Sequence, residues 1–112
     1  MKRVEAIIRP SKVSDVCAAL DRSGYPDLTI SAAEERGKEK GWVNQVRAMA
    51  FPVNIRSKAR VEVIAQDEDV DCIVNAIQDA AFTGEAGDGN IFVHDIANVI
   101  RIRTKERSAA AL

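Results

Sequence analysis

The residues best equipped for chemistry fall in one stretch, residues 82–104, FTGEAGDGNIFVHDIANVIRIRT. A hydroxyl and a glycine, Thr83 and Gly84, open it, and a tight acidic turn follows at Gly87, Asp88 and Gly89. A glycine has no Cβ, so its main-chain N–H can approach an anion closely. Arg101 and Arg103 close the stretch. In a strand, residues i and i+2 share a face, which would set the two guanidiniums roughly 6.5–7 Å apart. That spacing suits successive phosphates of a polyphosphate, and each Arg offers a planar fork of donors. The segment therefore carries both halves of a phosphate site, a main-chain cradle and a cationic clamp. The plainer alternative is a turn and an edge strand with two solvated arginines.

The elements that must position this stretch are legible from periodicity. Residues 3–9 alternate as a strand, with Val4, Ala6 and Ile8 on one side and Glu5, Ile7 and Arg9 on the other. Pro10 ends it, and Ser11 is placed to cap a helix. Val13, Val16, Cys17 and Leu20 recur at helical spacing, and Gly24 stops that helix. Residues 28–33 alternate again, and 57–66 do so with Ala59, Val61, Val63 and Ala65 on one face. Asp67 is placed to cap a second helix, whose stripe is Val70, Ile73, Val74 and Ile77. Strands at 91–94 and 99–103 complete the pattern, and about 107–112 reads as a loose tail.

Between these elements, residues 35–56 keep neither period, an unusual length of loop for a compact domain. The loop opens on the basic run RGKEKGW and then carries Trp42, Val43, Val46, Met49, Phe51 and Val53. That apolar surface suits docking on a partner. Equally, part of it could be hairpin strand with those residues buried.

The whole reads as one α+β domain over 1–112, a ferredoxin-like βαββαβ sandwich. Two helices cover one face of an antiparallel sheet, with a long loop and a short extra C-terminal strand. Ile7 and Ile64 reach the other face, which an oligomer packing sheet against sheet would bury. The chain's 112 residues are one domain's worth, and a net charge of −1 gives no global bias toward nucleic acid or membrane. No apolar run is long enough to span a bilayer, and the N-terminus does not read as a signal peptide. Cys17 and Cys72 sit on the predicted helix faces and read as buried free thiols in a reducing cytoplasm. Two Cys and one His make no zinc pattern.

Pattern and motifs together resemble the PII signal-transduction family of trimeric nitrogen regulators. The resemblance runs without gaps from Met1 to about Glu106. It is carried by EAIIRP near the start, Lys40-Gly41, TGEAGDGNIFVHD at 83–95 and RIRT at 101–104. It implies a ferredoxin-like homotrimer with ATP and ADP competing for clefts between subunits. It also implies that 2-oxoglutarate joins ATP through Mg²⁺, and that the long loop then grips or releases a target transporter or metabolic enzyme. Carried over residue by residue, Ile7, Thr29, Glu62 and Ile64 would surround the adenine and ribose end. Gly37, Lys38, Lys40, Gly87, Asp88, Gly89, Asn90, Arg101 and Arg103 would hold the ribose-phosphate end. Glu39, Lys40, Gly41 and Lys58 would meet 2-oxoglutarate, Lys58 by pairing with a carboxylate and Glu39 as the Mg²⁺ ligand. Trp42, Arg47, Met49 and Phe51 would meet the partner.

The chain departs from the family pattern at several of these positions. The modifiable tyrosine near the loop tip falls on Phe51, which has no hydroxyl, and a serine phosphorylated in some members falls on Met49. No modification site is therefore expected, and control should be by ligand alone. The Mg²⁺-holding glutamine falls on Glu39, a good Mg²⁺ ligand that adds negative charge beside a triphosphate and a dicarboxylate. A phosphate-site lysine falls on Asn90, an arginine on Lys38 and a glycine on Glu35. These changes suit a divergent sensor, with a different metabolite or transporter as the alternative.

Two other function classes fit the sequence less well. A small hydrolase on the same fold needs a placed nucleophile or base, and the single histidine, His94, lies in an apolar strand. An RNA-binding module needs aromatic stacking platforms that the strands lack, though the basic residues between Arg36 and Arg60 favour it. The sequence reads as that of a cytoplasmic regulator and not an enzyme.

Overall fold

The structure, a computed structural model, describes residues 1–36 and 55–112. The elements are β1 (Lys2–Ile8), α1 (Val13–Arg22), β2 (Thr29–Arg36), β3 (Ile55–Ala65), α2 (Val70–Ala81) and β4 (Asn90–Asp95). The four strands form one antiparallel sheet in the order β2-β3-β1-β4. The two helices pack on each other and on the β1–β3 centre of one face. This is the expected βαββαβ arrangement.

Its core follows from the alternation. Val4, Ala6 and Ile8 of β1 and Ala59, Val61, Val63 and Ala65 of β3 all point to the helices and are buried. Val16 and Leu20 of α1 meet Ile73 and Ile77 of α2, all fully buried. Each such side chain removed from water contributes about 1.5–3 kcal/mol. Tyr25 ties the connection after α1 to the start of α2, donating its hydroxyl to Asp69 at 2.9 Å. Ionising that phenol beside the carboxylate is unfavourable, so its pKa is pushed up to about 12.

Several expectations are corrected. Neither Ser11 nor Asp67 caps a helix. Each helix is entered through a 3-10 turn, Pro10–Lys12 and Asp67–Asp69, with no side-chain cap bond. Ser11 lies inside the first of these turns, after Pro10, and the Asp67 carboxylate instead takes the Met1 amine at 2.8 Å. Cys72 is exposed and Cys17 half-buried, both free, because Cys72 lies off the Ile73–Ile77 stripe. The start and end of the expected loop are strand: Glu35 pairs with Arg56 and Arg36 with Ile55. That end of β2 is largely exposed on both faces, so no apolar period marks it. The apolar residues between, Trp42 to Val53, lie outside the described residues.

The strand expected at 99–103 does not form. Only Ile100 bridges to Arg107, and 102–104 is a turn. Nor is the end of the chain loose, since Ser108–Ala111 is a 3-10 helix that buries Ala111.

One glycine decides how the last strand docks. Gly89 has φ +98, and a Cβ there would lie 1.7 Å from the Ile7 carbonyl oxygen. At Gly24, φ is +89 but nothing lies within 4 Å of the added carbon. Gly24→Ala is expected to cost about 1 kcal/mol, from backbone strain alone. Gly89→Ala should cost about 3 kcal/mol or more, because strain and collision combine. Urea unfolding of both variants measures the difference, and equal losses would refute the close approach.

Candidate effector-binding site

The turn that leads from α2 into β4 is stitched by its own acid. Asp88 Oδ2 accepts from the main-chain N–H of Thr83 at 2.8 Å and of Gly84 at 3.0 Å. Its Oδ1 accepts from the Thr83 hydroxyl and from Arg9 Nε, the latter at 3.2 Å. The Thr83 hydroxyl and N–H, with Gly84 N–H and Arg9, hold the Asp88 carboxyl well below the usual carboxylate range. Arg9 also donates to the Ala86 carbonyl at 2.6 Å, and Lys58 Nζ donates to the Gly87 carbonyl.

Lys58 is only 5% exposed, so its charge is held under the turn. A Cβ on Gly87 would lie 2.9 Å from an Arg56 guanidinium nitrogen and 3.1 Å from one of Arg9. Three cations thus surround one turn, at the buried Gly87. Sequence reasoning named Lys58 but gave Arg9 and Arg56 no binding role. The Arg9-Pro10 step read only as a strand end, and Arg56 fell inside the aperiodic loop. Asp88 also has a duty not assigned to it: its carboxylate is spent inside the turn.

Ile7 and Asn90 are cross-strand partners, which places both beside Gly89. Ile7, Lys58, Gly87, Asp88, Gly89 and Asn90 are therefore one neighbourhood. A small cavity of ≈ 170 Å³ is lined by Asp88, Gly89 and Asn90 of this neighbourhood together with core residues such as Ile8 and Ile77, and is too small for a metabolite of nucleotide size.

The other expected residues gather elsewhere. Thr29 and Glu62 are paired across β2 and β3. With Ile64 and Arg101 they line a cleft of ≈ 500 Å³, completed by Pro26, Asp27, Leu28, Val99, Ala111 and Leu112. That volume is in the range of small-molecule sites. Its wall offers a hydroxyl, carboxylates and apolar side chains, with Arg101 the cation among them. The residues of the Gly87 turn do not line it.

The expected two-arginine clamp is corrected. Arg101 and Arg103 do not share a strand face, because the chain turns at 102–104. Arg101 Nη2 donates to the main-chain oxygens of Ala111 and Leu112 at 3.2 Å each, and Nη1 sits 3.5 Å from Glu106 Oε1. Arg103 is exposed and has no hydrogen bond or ion pair among the described residues. Gly37, Lys38, Glu39, Lys40, Gly41, Trp42, Arg47, Met49 and Phe51 lie outside the described residues. Within the described residues no group of acids, His or Cys is placed to hold a metal, and no helix is long and apolar enough to cross a membrane.

The family model described as Nitrogen regulatory protein P-II matches residues 1–106. The chain belongs to the P-II family. It is 41% identical to the Nitrogen regulatory protein P-II of Microchaete diplosiphon and 40% identical to P-II 1 of Escherichia coli K12, over 100% of both chains in each case. Among solved structures it resembles Arabidopsis thaliana PII bound to citrate, with TM-score 0.81 and 33% identity over 99% of this chain and 91% of that one. P-II proteins are signal-transduction regulators of nitrogen metabolism that respond to small-molecule effectors, and this chain is one of them.

In this P-II chain the Asp88 stitch has a pH signature. A carboxyl whose pKa is lowered by folding stabilises the fold above its unfolded value, near 3.8, and that contribution is lost as pH falls through the lower folded value. Asp67 and Asp95 are lowered too and act in the same window. Urea midpoints are expected to drop as pH falls below about 4. Asp88→Asn should be less stable at pH 7 and show a shallower acid loss; an unchanged acid slope would show that the stitch contributes nothing.

Proposed function

We propose that this P-II protein is a cytoplasmic homotrimer that senses ATP and ADP in clefts shared between two copies. The observation that supports this is the division of the expected ligand residues, among those described and apart from Arg103, into two groups. One group is a cleft suited to a base and ribose, with the Thr29 hydroxyl, the Glu62 carboxylate and the apolar Ile64. The other is the Gly87–Gly89 turn ringed by Arg9, Arg56 and Lys58, suited to phosphates. A nucleotide bridging the cleft of one copy and the turn of the next would use both.

The open sheet face supports assembly as well. Glu5 lies directly opposite Glu62, a repulsive cross-strand pair, and Arg60 sits 4.0 and 3.9 Å from the two. Arg3 Nε and His94 Nε2, register partners on β1 and β4, are buried atoms with no partner within the described chain. A neighbouring copy packed on this face would supply their acceptors.

ATP would bring Mg²⁺ with it, and the Glu39 carboxylate is a suitable oxygen ligand. 2-Oxoglutarate would meet Lys58, whose ammonium has donors beyond the one given to Gly87. The segment 37–54 would then signal to a transporter or metabolic enzyme through Trp42, Arg47, Met49 and Phe51. With Phe51 and Met49 in place of hydroxyl residues, ligands alone set its state. A second reading, in which the effector is another polycarboxylate, draws on the Arg9, Arg56 and Lys58 cluster. The related Arabidopsis PII was crystallised with citrate, a molecule of that class.

Calorimetric titration tests the proposal. ATP and ADP are expected to bind competitively, and Arg103→Ala to weaken both by roughly tenfold or more, as for loss of a charge-assisted contact. Titration of 2-oxoglutarate and of citrate, each with Mg·ATP present, separates the two effector readings. Absence of nucleotide binding to the intact protein and to its arginine variants would reject nucleotide sensing.

A further inference from the structure

The local sequence and the observed conformation disagree at residues 99–108. Val99, Ile100 and Ile102 interleave with Arg101 and Arg103, a pattern with strong strand preference. Yet the chain folds there into a tight hairpin. Arg101 N–H donates to the Glu106 carbonyl at 2.8 Å, Lys105 N–H to that of Arg101 at 2.7 Å and Ser108 N–H to that of Val99 at 2.8 Å. Ile102 is left 93% exposed. Lys105 and Ser108 take φ of 64° and 59°, left-handed backbone that non-glycine residues adopt only at a cost. A segment held against its own preference is the kind that has a second state.

What holds it is Arg101. The guanidinium bonds the main-chain oxygens of Ala111 and Leu112, and both residues wall the cleft beside Thr29, Glu62 and Ile64. Ala111 is itself buried. The Ala111 carbonyl, a neutral acceptor, binds a guanidinium more weakly than phosphate oxygens do.

We propose that residues 108–112 are an autoinhibitory strap. Their main-chain oxygens occupy the Arg101 guanidinium, and a phosphate-bearing ligand must displace them to take it. The proposal rests on the cleft being half of a nucleotide site. Displacement frees the strap, relieves Ser108 and lets residues 99–103 extend. Arg103, exposed beside the hairpin, gives an arriving anion its first cation. Strap release thereby reports occupancy at the surface, and the closed strap sets a concentration threshold for the effector.

The test is calorimetry of ATP and ADP into the intact chain and two variants. In Ser108→Val a β-branched side chain resists the left-handed backbone. In Ala111→Gln a larger polar side chain no longer fits where Ala111 is buried. Both variants are expected to bind nucleotide roughly three- to tenfold more tightly, as a larger fraction of molecules is competent. In the unmodified chain, nucleotide should speed amide hydrogen exchange at Ser108 and Lys105. Nucleotide binding with equal or weaker affinity in both variants, or with those amides still protected, overturns the strap alone. Failure of all three proteins to bind overturns the nucleotide site and the strap together.

Discussion

The contact between Gly89 and the Ile7 carbonyl is the constraint on which the rest of the molecule depends. No side chain fits there, so the main chain of the turn lies directly on β1. From that point β4 enters the sheet in one register, Asn90 against Ile7, and a one-residue slip would turn every β4 side chain to the wrong face. The same approach brings the Gly87 carbonyl over Lys58 and Asp88 within reach of Arg9. Helix, turn and strand are thereby one body, although they are joined by a loop. A binding surface made of main chain can be rigid only when something else fixes it, and here β1 and the Asp88 carboxylate do so.

Charge in this protein is organised by position, and its net value of −1 conceals that. Arg9, Arg56 and Lys58 concentrate positive charge at one turn, whereas the cleft beside Thr29 carries Asp27 and Glu62. The two regions ask for different parts of a ligand, the turn for an anion and the cleft for hydroxyls, an apolar ring and, at Arg101, a phosphate. Exposed ion pairs between them, such as Arg60 with Glu62 at 3.9 Å, are worth little as stability and more as a fixed pattern of field.

Much of the fold was legible in the residues. The buried face of β1, the inner face of β3 and the stripes of both helices all follow from periods of two and 3.6, because burial selects side chains one by one along a regular element. The ends of the elements were less legible. Ser11 and Asp67 looked like caps, but capping depends on where the preceding chain runs and on what else claims the oxygen. β2 ran longer than its alternation because a strand exposed on both faces leaves no apolar mark. Of the candidate site, the glycines, Lys58, Arg101 and Arg103 could be named in advance, while Arg9 and Arg56 acquire meaning only through proximity to Gly87.

The sequence by itself determined the family, the order of elements and the residue types available to an effector, since those reside in spacing and identity. The tertiary structure alone decided that Asp88 serves its own turn and that the expected ligand residues divide into two groups. It alone decided that Arg101 is already engaged by the end of the chain. Each of these turns on which atoms meet in space, from Thr83 and Asp88, 5 residues apart, to Arg9 and Asp88, 79 apart. Periodicity describes one element at a time and carries no information about such encounters.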